Sequence, residues 1–205
     1  PEHLIESRDQ VIEVLEGLSD NRSRQVYNML ITGDPEQHWK HYLERTFRSV
    51  QYFDYIDPSR CQVVLNGGVL SGCELPFLIA HLPFDAEIHD VDPLGHDPLS
   101  NYVRPWLEAG CQRIFEHKVA LDDYAGEVEL PVDSMGEASL YMKLAKPELP
   151  TQTFPCLTLD QLVAEQGLQR LDLIMLDLEG AESKSLVKSV EAIQRFRPQL
   201  AVSMY

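Results

Sequence analysis

A chain of 205 residues, 44% of them apolar and 24% charged, has the size and composition of one soluble globular domain with a substantial core. Its formal charge of −16, from 33 acidic against 17 basic residues, repels duplexes and anionic membranes, and no Lys/Arg run offsets it, so nucleic acid is set aside as a partner. No apolar run reaches the roughly 18 residues of a membrane span, and nothing resembles a signal peptide. Four cysteines without a CxxC pair indicate reduced thiols in a cytoplasm.

Up to about Ser49 the pattern is helical. Leu4, Ile5, Val11, Ile12, Val14, Leu15 and Leu18 recur at helical spacing, Val26, Met29 and Leu30 form a second stripe, and Asp34-Pro35 opens a third helix. Asp57-Pro58 marks a boundary between an N-terminal helical extension, 1–58, and a second domain, 59–205.

From Cys61 onward, strand and helix signals alternate. Strands are predicted at Gln62–Leu65, Ala86–Val91, Arg113–Leu121, Leu171–Leu176 and Gln199–Met204, and helices at Glu74–His81, Leu99–Ala109, Thr158–Glu165 and Glu182–Arg195. Ala125-Gly126 turns into Glu127–Leu130, read as an edge hairpin, and the prolines at 147, 150 and 155 mark 142–155 as a loop. Strands separated by helices imply a Rossmann-like, doubly wound α/β fold with a mostly parallel sheet.

Ligands gather at the carboxyl ends of such strands. After strand one, Asn66-Gly-Gly-Val-Leu-Ser-Gly72 lets the backbone approach a ligand, although the spacing is not GxGxxG. Strand two ends in His89-Asp-Val-Asp-Pro93. Alternation puts Asp90 and Asp92 on the same side, and the terminal Asp92 is better placed to hydrogen-bond ribose hydroxyls. Strand four runs into Asp177-Leu-Glu-Gly-Ala-Glu182, three carboxylates and a glycine within six positions. That clustering points to a site, while Glu179 and Glu182 also suit a helix N-terminus. His89, His96 and His117 fall near strand ends, where one could act as a base or lie over an adenine. His3, His38, His41 and His81 read as ordinary helix residues. No Cys/His spacing indicates a metal site.

In the order of these elements, Asp122-Asp-Tyr-Ala-Gly-Glu-Val-Glu-Leu130, Asp177-Leu-Glu-Gly-Ala-Glu182 and Ile193-Gln-Arg-Phe-Arg-Pro198, with Tyr52-Phe53 before the glycine turn, the chain resembles the FkbM family of S-adenosylmethionine-dependent methyltransferases. The resemblance implies a cofactor pocket at the ends of strands one to four. Asn66, Gly67, Gly68 and Gly72 would line the methionine portion, Asp92 would hold the ribose, and His117 to Leu121, Ala120 among them, would flank the adenine. Asp177 would face the transferring methyl group with Glu179 nearby, no metal is called for, and the acceptor would be a hydroxyl of a sugar, glycan or polyketide-like small molecule. Two residues differ from the family pattern: Asn66 stands where an acid is usual, and Met175 where a lysine is common. The sequence opens without methionine and ends at strand five, where such enzymes continue into two further strands. A trimmed chain, or a homo-oligomer or partner covering the strand-five edge, is therefore expected. The competing readings are a non-catalytic domain of the same fold used for binding or assembly, and a nicotinamide-dependent oxidoreductase.

Overall fold

The computed structural model describes residues 7–33, 40, 52–53, 56–69, 74–95, 113–132, 138–139 and 146–203. The chain forms two compact units, Pro1–Asp54 and Tyr55–Tyr205. In the first, α1 (Arg8–Gly17) and α2 (Asn21–Thr32) are described, and neither buries a residue fully. The Asp20 carboxylate caps α2 by accepting from the Ser23 amide, and Gly33, in the left-handed region at φ 65°, ends it. The helix expected from Asp34-Pro35 lies outside the described residues.

In the second unit, a 3-10 turn (Pro58–Arg60) leads into β1 (Val63–Gly67), α3 (Leu75–His81), β2 (Glu87–Val91), β3 (Arg113–His117), β4 (Ala120–Leu121), β5 (Gly126–Pro131), β6 (Thr151–Leu157), α4 (Leu159–Glu165), β7 (Leu173–Leu176), α5 (Glu182–Val187), α6 (Val190–Phe196) and β8 (Gln199–Val202). Five strands form an all-parallel sheet in the order β3-β2-β1-β7-β8, flanked by helices, a Rossmann-like fold. The inner strands β1 and β7 are buried at every residue, which is why they read as continuous apolar runs. From β1 the chain steps outward to β2 and β3, then returns to the other side of β1 as β7 and β8. The order therefore reverses between β1 and β7, where open α/β sheets place their ligand crevice.

The core on one face joins Leu65, Leu171, Ile174 and Leu176 to Leu159, Leu162 and Val163 of α4 and Ala192 of α6. Each fully buried leucine contributes roughly 1.5–3 kcal/mol. Helix α4 starts at a capping box in which Thr158 and Gln161 bond reciprocally. Its Asp160 carboxylate also accepts from the Glu191 and Ala192 amides at 3.1 and 2.8 Å, capping α6 from a neighbouring helix.

Four expectations are corrected. The third strand is two: β3 stops at His117, and β4 belongs to a second sheet ordered β4-β6-β5. Glu127–Leu130 lies in an edge strand, β5, but of the second sheet, where it pairs antiparallel with β6, whose residues 151–155 are expected as a proline loop. Pro155 is tolerated in β6 because β4 joins that strand only at Cys156 and Leu157, leaving Pro155 flanked by β5 alone. The helix from Glu182 breaks at Lys188–Ser189 into α5 and α6. The helix expected at Leu99–Ala109 lies outside the described residues. Among the described residues no helix is long and apolar enough to cross a membrane.

Candidate functional site

At the carboxyl end of β1 the chain has no room for side chains. Gly68 takes φ +81°, and a Cβ there would lie 1.8 Å from the Asp177 carbonyl oxygen. The glycine is thus required by the crossing of two main chains, independently of any ligand. Its N–H donates to the Val91 carbonyl at 2.9 Å, and the Asp177 N–H donates to the Gly67 carbonyl at 2.9 Å. A Cβ on Gly67 would touch Leu176, Leu121 and Leu178 at 3.0 to 3.3 Å. Gly72 lies outside the described residues.

Asp92 is joined to the same turn. One carboxylate oxygen accepts from the Val69 amide at 3.1 Å, the other from the Leu94 amide at 2.8 Å, while the Asp92 amide donates to the His117 carbonyl at 3.1 Å. The side chain is half-buried at the end of β2. Asp90, which alternation could not separate from Asp92, is fully buried and accepts from the Asn66 amide group at 3.0 Å. Geometry separates them: Asp90 is an interior residue and Asp92 stands at the strand tip. Asn66 is itself 3% exposed, its amide committed to Asp90.

Past β7, three carboxylates part company. Glu182 is 6% exposed and accepts from the Leu178 amide at 2.6 Å and the Gly180 amide at 3.0 Å. It clamps a loop in which Glu179 and Gly180 both take positive φ, 53° and 103°. A left-handed glutamate is uncommon and marks a loop held by its surroundings. The sequence groups Glu182 with the other acids and places it at a helix N-terminus, but its carboxylate turns back onto the preceding loop and does not cap the helix. Asp177 and Glu179 are half-buried.

Ala120 is buried in β4 and pairs with Cys156 in the smaller sheet, while its neighbour Leu121 reaches the Gly67 turn. The structure thus brings Gly67, Gly68, Asp92 and Asp177 to one end of the parallel sheet, and places Ala120 beside the turn through the second sheet. Asp122, just beyond β4, is 3% exposed and receives the Lys184 ammonium at 3.6 Å.

Two histidines adjoin this end. The His89 ring stacks on Phe115 and His117, and its Nδ1 lies 3.0 Å from His117 Nε2. Burial, reinforced by His117, pulls the His89 imidazole down to about 4, and burial lowers His117 as well. Both rings are therefore neutral near pH 7. His81 is an ordinary exposed helix residue, as read. Cys61 and Cys156 are free and buried, and burial beside Asp172 and Asp57 pushes the Cys61 thiol up to about 11, leaving it protonated. Among the described residues no three His, Cys, Asp or Glu side chains cluster as metal ligands do.

The family described as the methyltransferase FkbM domain matches residues 97–205, just over half of the chain. No curated protein and no solved structure matches it.

Proposed function

The chain belongs to the FkbM methyltransferase family and is a methyltransferase, and from that premise we propose that it moves a methyl group from S-adenosylmethionine to a hydroxyl of a sugar, glycan or polyketide-like small molecule. In this reading 1–58 is a helical extension, 59–205 is the cofactor domain, and the protein works in the cytoplasm. Gly67 and Gly68, with Asn66 behind them and Gly72 beyond, would line the methionine portion. Asp92 would hold the ribose hydroxyls, and Ala120 would sit against the adenine.

The bound cofactor supplies an already activated methyl group, so the protein's share is alignment and proton handling. Asp177 would orient the acceptor hydroxyl and take its proton, a role worth typically about 10²–10⁴-fold, with Glu179 beside it. An acidic setting also suits a sulfonium cation. The edge strand β8, whose Leu200 is 44% exposed, would be the place for a second copy or a partner to pair. The Asn66–Gly72 turn lacks the GxGxxG spacing of a nicotinamide site, which favours the methyltransferase chemistry over an oxidoreductase.

One observation carries the reading: main-chain bonds from Gly68 to β2 and from Asp177 to Gly67, with the Asp92 carboxylate on Val69, join the tips of β1, β2 and β7 at the point where strand order reverses. Calorimetric titration with S-adenosylmethionine tests it. The parent protein should show one saturable event, and Asp92→Ala should weaken it roughly 5- to 150-fold, the worth of one to two lost ribose hydrogen bonds at about 1–3 kcal/mol. Unchanged affinity in that variant removes Asp92 from the cofactor site.

A further inference from the structure

The opposite end of the parallel sheet carries its own polar hollow. A cavity of about 390 Å³ opens at the amino ends of β1, β7 and β8, lined by Arg60, Arg170 and Arg197 together with Gln199 and Phe196. Its volume falls within the range of small-molecule sites. Two carboxylates, Asp57 and Asp172, share the wall, and each is already hydrogen-bonded. Asp172 accepts from the Gln62 and Val63 amides at 2.7 and 3.0 Å and from Arg170 Nε at 2.7 Å. Asp57 accepts from the Ser59 amide and hydroxyl.

Arg60 and Arg197 are different. Neither guanidinium makes a hydrogen bond or ion pair among the described residues. With 33 acidic residues against 17 basic ones, carboxylate partners are plentiful, yet these two arginines face one hollow without any. Arg197 also sits where a glycine is ordinary: it ends α6 in the left-handed region at φ 50°, ψ 53°. A residue with a Cβ is disfavoured there, so the fold alone gives no reason for the arginine.

We propose that this hollow binds a phosphate-type oxyanion, free or as the terminal group of a small phosphate ester. Guanidinium forks match phosphate oxygens in pairs, and two exposed arginines without protein partners among the described residues line the same cavity. Gln199 adds an amide donor at the same wall, and Phe196 an apolar edge against which the ester's carbon portion would lie. The site is distinct from the cofactor end and does not rest on the methyltransferase reading.

The test is calorimetry at constant ionic strength with inorganic phosphate, glycerol phosphate and citrate, on the parent, Arg60→Gln, Arg197→Gly and the exposed control Lys188→Gln, each also melted. Expected are saturable binding of phosphate or its ester to the parent and to Lys188→Gln, at least tenfold weaker binding in both arginine variants, and an Arg197→Gly melting point no lower than the parent's. Binding by the ester and by the free ion then tells which source is preferred. The proposal is overturned if the parent shows no saturable phosphate binding, if either arginine variant binds as the parent does, or if citrate binds as well as phosphate, which would leave charge without oxyanion geometry.

Discussion

Asp172 and Asp177 bracket the same four-residue strand, β7, and the two ends of the sheet use them differently. At the amino end the Asp172 carboxylate itself is the joint, holding the Gln62 and Val63 amides at the start of β1 and the Arg170 guanidinium. At the carboxyl end β7 is joined to β1 main chain to main chain, Asp177 N–H to Gly67, and β1 to β2 by Gly68 N–H to Val91 and by the Asp92 carboxylate on Val69, while Glu182 braces the loop after β7. The contrast teaches that an acid's neighbour in sequence says little about its task; the end of the strand decides it.

The comparison breaks most sharply at Gly68. Gly68→Ala sets a Cβ against the Asp177 carbonyl in a backbone conformation that L-residues avoid, so it should cost roughly 2–5 kcal/mol. Urea unfolding would measure this as a lower midpoint at unchanged slope. A loss below about 1 kcal/mol would mean that the two main chains are not in contact.

The next largest effect concerns Asn66 and Met175. They are register partners on adjacent strands, their side chains on the same face about 4.8 Å apart. Asn66 donates to the buried Asp90, where a second carboxylate would repel it. Asn66→Asp alone should therefore destabilise by roughly 2–4 kcal/mol. Adding Met175→Lys should recover about 1–2 kcal/mol of that loss, a coupling that a double-mutant cycle reads directly. Additive losses would show that the two positions are independent.

Legibility followed the same division. Strands β1, β2 and β7 and the Thr158 cap were plain in the sequence because burial on both faces and a capping box are local signals. The smaller sheet was hidden because β6 takes its partners from 20 to 30 residues upstream and carries Pro155. The break at Ser189 was hidden because its cap, Asp160, comes from another helix. At the site, Gly68, Asp92 and Asp177 were placed correctly at strand ends, while the register that pairs Asn66 with Met175, and the clamp made by Glu182, exist only in three dimensions.

Asp172→Asn sharpens the amino-end half of the contrast. The amide keeps one acceptor oxygen for β1 but loses the charge facing Arg170, so stability should fall by about 1–3 kcal/mol while S-adenosylmethionine affinity stays within twofold. A large change in cofactor affinity would mean that the two ends are coupled through β7 and not separate in function.

A last effect is a pH dependence near the carboxyl end. His89 is held neutral in the folded protein, its imidazole lowered from 6.5 to about 4 by burial and by His117. Between those values the unfolded chain binds a proton that the folded one refuses, so stability is fully present above about pH 6.5 and falls as the pH drops toward 4. One histidine supplies a slope of at most about 1.4 kcal/mol per pH unit in that window. His89→Phe keeps an aromatic ring between Phe115 and His117 and removes the titrating group, so it should flatten the slope by nearly that amount. If both proteins lose stability equally between pH 6.5 and 4, the acid sensitivity belongs to other groups, and the His89–His117 pair is packing alone.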